Sequence, residues 1–133
     1  MPIRYSNPAV VASPVWCYST LAEIPAGARV LALAGQVGNR PDGSFAESVV
    51  DQFIQALDNV LAIVTDAGGN AGSIARLTCF ATEPADAAGM ARLTEAFAQR
   101  FPNGFPAQTM VFVTALFAPH VKIEIEALAA LHA

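Results

Sequence analysis

One segment constrains this chain more than any other. Val50, Phe53, Ile54, Leu57, Val60, Leu61 and Val64 recur at helical spacing, and Asp51, Gln52, Gln55, Asp58 and Asn59 fill the other face. Residues three and four apart share one side of a 3.6-residue helix, so the pattern predicts an amphipathic helix with a face to bury. Gly68-Gly69 follows as its stop, where a left-handed backbone favours glycine. Gln52, Gln55 and Asp58 read as a wetted surface.

The segments around it read as its packing partners. Val15 to Ile24 reads as extended, bounded by Pro14 and the turn Pro25-Ala26-Gly27. Arg29 to Gln36 is a short apolar run, expected as a strand buried on both faces, and Asn39 to Gly43 is a turn. Ala75 to Thr82 is the next strand. Glu83-Pro84-Ala85-Asp86 leads into a second helix with Met90, Leu93 and Phe97 as its stripe, ending near Phe101-Pro102. Gln108 to Phe117 and Val121 to Leu131 are the last strands. The expected fold is a single α+β domain over residues 1–133, with a mixed sheet and both helices on one face. Strand alternation puts Lys122, Glu124 and Glu126 on one face of the last strand, and Gln108, Met110, Phe112 and Thr114 on one face of the strand before.

Charge decides which partners to expect. The chain carries 7 basic and 11 acidic residues, for a net charge of −4. Nucleic-acid binders need clustered Lys and Arg, so nucleic acid is not an expected partner. Only 14% of residues are charged and 54% are apolar, against about 25% and about 45–50% in ordinary soluble domains. No stretch could stay helical across a bilayer: Pro and polar residues interrupt the long charge-free runs, as Pro102, Gly104, Pro106 and Pro119 do in one of them. No signal peptide is visible at Met1-Pro2-Ile3-Arg4-Tyr5, so the expected location is cytoplasmic, without a membrane partner. Cys17 and Cys79 read as small buried hydrophobes in strand-like runs. The apolar excess points to a subunit interface.

No phosphate loop, dinucleotide fingerprint or nucleophile elbow is present. Zinc needs three or four converging ligands, and the sequence offers no such set with His120 and His132, so no metal is expected. Glu124 and Glu126 on a strand face would ordinarily be solvated. However, Val121-Lys-Ile-Glu-Ile-Glu-Ala127 resembles the C-terminal signature of the Rid/YjgF family of reactive-intermediate deaminases. Gly35-Gln36, Gln52, Leu57-Asp-Asn-Val60, Ala67-Gly68, Glu95-Ala-Phe97 and Phe105-Pro-Ala107 resemble further family segments in the same order, and Tyr18 falls on the N-terminal tyrosine.

The resemblance implies a chorismate-mutase-like fold and a homotrimer with small-molecule clefts between subunits. It implies hydrolysis of enamines and imines to keto acids and ammonia, without cofactor. Its water-positioning glutamate matches Glu124, its cleft glycine Gly35 and its tyrosine Tyr18. The family arginine that grips a carboxylate falls on Gln108. The motif serine is Ala34 here, the cleft cysteine Met110 and the second-helix asparagine Ala91. Arginine offers a carboxylate a charged fork of two donors, and glutamine brings no charge. Losing about 1.5–3 kcal/mol of charged hydrogen bonding lowers affinity for an acid by about one to two decades. A substrate without a carboxylate, or with an amide or carbonyl in its place, is therefore expected. Three readings stay open: a deaminase-type hydrolase on another imine or related C–N bond, a non-catalytic binding or regulatory trimer, and, last, the endoribonuclease role attached to family names.

Overall fold

A computed structural model describes residues 2–132. Met1 and Ala133, the ends of the expected 1–133 domain, lie outside the described residues. The elements are β1 (Arg4–Ser6), β2 (Leu21–Glu23), β3 (Arg29–Val37), α1 (Val49–Asp66), a 3₁₀ turn (Ala71–Ser73), β4 (Ile74–Ala81), α2 (Ala87–Arg100), β5 (Ala107–Phe112) and β6 (Ile123–Leu131). Strands β3-β6-β4-β5 form a mixed four-stranded sheet, in which β4 pairs parallel with β5 and antiparallel with β6. The fold is α+β, as the sequence predicts.

Helix α1 forms where the apolar stripe predicts it. Ser48 caps its start by accepting from the Asp51 N–H at 3.1 Å. At its end Gly68 takes φ +101°, and the Gly69 and Gly68 N–H groups donate to Val64 O and Thr65 O at 2.9 and 3.0 Å. This closes the last turn with the paired bonds of a Schellman motif. Phe53, Leu57, Val60 and Val64 are buried against Leu77, Cys79, Ile123 and Ile125 of the sheet. Each such side chain contributes about 1.5–3 kcal/mol. Asp86 caps α2, and Leu93 and Phe97 join the same core.

Five expectations need correction. Gln52 is no wetted residue: it is 1% exposed, and its amide joins three backbone segments. Its Nε2 donates to Ala46 O and His120 O, both at 2.8 Å, and its Oε1 accepts from the Lys122 N–H at 2.8 Å. Loops fold over this side of α1, which a helical period cannot reveal. Only Leu21–Glu23 of the expected 15–24 segment is a strand, and it pairs with Arg4–Ser6, which the sequence did not flag. Cys17 is buried in the irregular stretch before it. β3 is not buried on both faces: it is a sheet edge, and Val30 is 56% exposed. β5 ends at Phe112 rather than Phe117, after which the chain turns toward Pro119. No helix among the described residues is long and apolar enough to cross a membrane.

Candidate active site

The expected site residues sit on a sheet whose two faces differ. Leu77, Cys79 and Ala81 of β4 are buried under the helices. Their neighbours Thr78 and Phe80 therefore point to the other face. Glu126 and Glu124 pair with Thr78 and Phe80, so both glutamates lie on the helix-free face. Gln108, Met110 and Phe112 pair with Leu77, Cys79 and Ala81, so they lie on the helix side.

Glu124 and Gly35 are brought together. Pairing between β3 and β6 shifts between Leu33 and Gln36, so that Ala34 and Gly35 together oppose Glu126. That is a β-bulge, a device that re-aims side chains at functional sites. The Gln36 Nε2 donates to Ala34 O at 3.1 Å and braces it. The Glu124 carboxylate lies over Gly35: a Cβ there would stand 2.3 Å from its Oε2 and 2.7 Å from its Cδ. Only glycine leaves that space. The half-buried Glu124 can accept a proton or hold a water on the open face.

Gln108 and Met110 belong to a different surface. With Trp16, Phe53, Glu83, Met90, Leu93 and Phe112 they line a cavity of about 160 Å³ at the β5 edge, under α2. The Gln108 Oε1 is buried with no hydrogen-bond partner. Trp16 forms one wall, its ring 4.7 Å from that of Phe97 and its Nε1 donating to the Thr94 Oγ1 at 2.9 Å. Glu83 is held by the Lys122 Nζ at 2.9 Å. Met90, expected in the core stripe, is 39% exposed and lines this cavity instead. Trp16 and Phe112 were not singled out as site residues, because nothing local marks an aromatic residue as a cavity wall.

The remaining expected residues stand apart. Tyr18 borders an open depression of about 840 Å³ with Tyr5, Arg29 and Phe105. Ala91 is exposed on α2, beside Met90. Ala34 is exposed in the bulge. One chain therefore assembles two half-sites: Gly35 and Glu124 on β3 and β6, and Gln108 and Met110 on β5. β3 and β5 are opposite edges of the sheet. Cys79 contributes no chemistry, since burial pushes its thiol up to about 12. Among the described residues no three His, Cys, Asp or Glu converge as metal ligands.

Comparison with known proteins places this geometry. A family model described as Endoribonuclease L-PSP matches residues 11–131. A 2-iminobutanoate/2-iminopropanoate deaminase of Salmonella typhimurium is 41% identical over 97 residues, 72% of this chain and 75% of that protein. The Rid-family protein YyfB of Yersinia pestis superposes with a TM-score of 0.85 at 28% identity, over 98% of this chain and 100% of that one. The YjgF gene product of E. coli does so with a TM-score of 0.68 at 32% identity, over 96% and 98%. The chain belongs to the Rid/YjgF family, whose fold it shares across nearly its whole length.

Proposed function

We propose that this protein is a homotrimer with small-molecule clefts between subunits, and that it hydrolyses an imine or enamine C–N bond on a substrate other than the 2-imino carboxylates. The observation that carries this reading is the Glu124 carboxylate laid over Gly35 on the open sheet face. Kinship with 2-iminobutanoate/2-iminopropanoate deaminases supports the reaction class. The two half-sites at opposite sheet edges support a cleft completed by a second copy.

In this reaction Glu124 takes a proton from water as the water oxygen bonds to the imine carbon. That proton passes to nitrogen to give a carbinolamine, whose hydroxyl proton is then relayed through Glu124 to the same nitrogen as the C–N bond breaks, so that ammonia leaves behind a carbonyl product. Water is the only co-reactant consumed. Gln108 supplies a neutral contact where the family has its arginine, so acids bind weakly. Tyr18 and Gly35 are proposed as further cleft residues, with Met110, Ala34 and Ala91 as small or apolar walls. The site is proposed to need no cofactor, and the protein to act in the cytoplasm.

A second reading, a binding or regulatory trimer without turnover, is favoured by the apolar lining of the Gln108 cavity. The endoribonuclease role in the family's name fits poorly with 11 acidic and 7 basic residues. Wild type and Glu124→Ala should be compared on a panel of imines with and without a carboxylate. Turnover of uncharged imines is expected in wild type and is expected to vanish in the variant. Clearance of 2-iminobutyrate at rates typical of the family's deaminases would overturn the substrate assignment. Ligand-induced stabilisation with no turnover in either protein would favour the binding reading.

A further inference from the structure

We infer that the Gln108 cavity is a carboxamide site, taking an uncharged ligand with a primary amide on an apolar body about the size of a benzene ring. The inference rests on the reading that small molecules enter this cleft, and it names their class.

The first observation is the orphaned acceptor. The Gln108 Oε1 is buried with no partner, and an unmade buried hydrogen bond is costly. The neighbouring polar groups are already committed. The Trp16 N–H goes to the Thr94 hydroxyl, and Glu83 is paired with Lys122. The missing donor must come from outside this chain, from a ligand, from water or from the second copy that completes the cleft.

The second observation is shape and polarity. The cavity of about 160 Å³ is walled by Trp16, Phe53, Met90, Leu93, Met110 and Phe112. A dry cavity of about 150 Å³ with similar apolar walls accepts benzene. Glu83 is the one charged side chain on the lining, and it is negative. A carboxylate entering here meets no free cation.

Complementarity then selects the group. An arginine fork offers two donors and matches the two acceptors of a carboxylate. A glutamine amide offers one acceptor and an NH₂ donor side by side. Its full complement is another primary amide, whose N–H donates to Oε1 and whose C=O accepts from Nε2. A carboxylate would set an oxygen against Oε1.

The test uses the purified full-length protein with benzamide and benzoate, which share shape and differ in donor and charge. Trp16, the one tryptophan of the chain, reports occupancy by its fluorescence, and calorimetry gives the affinities. Benzamide should bind about tenfold or more tightly than benzoate, the ratio that one to two net hydrogen bonds support. Gln108→Leu should remove the preference and Gln108→Arg should reverse it. Equal affinities in the native protein, or tighter benzoate, would overturn the inference, whatever the variants do. Benzamide binding without imine turnover sinks the hydrolase reading alone, and imine turnover without benzamide binding sinks the carboxamide site alone.

Discussion

The carboxylate of Glu124 depends on an atom that Gly35 lacks. A Cβ at Gly35 would meet the far end of the glutamate side chain, with 2.3 Å to Oε2 and 2.8 Å to Cγ. A side chain can swing away where backbone cannot, so Gly35→Ala should move the carboxylate rather than unfold the strand. We expect its stability to fall by no more than about 2 kcal/mol in urea melts. Turnover of an uncharged imine should fall about 100-fold, as a displacement of about 1 Å at a reacting group can cause. Unchanged kinetics would show that Glu124 has no positional role. Resemblance alone marked Gly35 in the sequence. The reason for the glycine was illegible there, because it lies in a strand 89 positions away by number yet across one ladder in space. The resemblance singled out Gln108 in the sequence as well, whereas its orphaned oxygen was not legible there.

At the scale of elements, α1 shows where periodicity is informative and where it stops. The stripe from Val50 to Val64 predicted the helix, its buried face and its glycine stop. The same pattern put Gln52 in water, yet its amide ties Ala46, His120 and Lys122 together. It thereby holds the approach to β6, two residues before Glu124. Gln52→Leu leaves two carbonyls and one N–H of this clamp without their partner. The expected loss is roughly 3 kcal/mol, read as a lower urea midpoint. A variant as stable as wild type would show that solvent reaches this clamp. The short strand β1 is pinned in a related way, by the Tyr5 hydroxyl donating to Ile74 O at 2.5 Å. Burial pushes the Tyr5 phenol from 10.0 up to about 12. The folded state holds this proton more tightly than the unfolded state, so the stabilisation is complete below pH 10 and falls as pH rises toward 12. Urea midpoints across that window should decline, and less steeply in Tyr5→Phe.

Beyond the corner where Ile3, Tyr5 and Ala22 pack on Ala75 and Ala130, the helix-free face of the sheet has no cover among the described residues. On that face Val30 is 56% and Val111 38% exposed, both on edge strands, and Phe117 is 74% exposed just beyond β5. An apolar excess of this kind is normally buried in an assembly. Sedimentation at micromolar concentration should show a trimer, and a monomer would overturn the proposed inter-subunit cleft.

By itself, the sequence determined the α+β class, the helices and the family. These follow from local period, turn chemistry and a motif near the C-terminus, all carried by residues close together in the chain. Only the tertiary structure decided that Glu124 and Gln108 occupy opposite faces of one sheet. Pairing register and a bulge at Ala34-Gly35 set that geometry, through contacts between strands far apart in sequence. It also decided that a glutamine on the wet side of a helix is a buried clamp, because burial depends on what folds over a residue and not on the residue's own period.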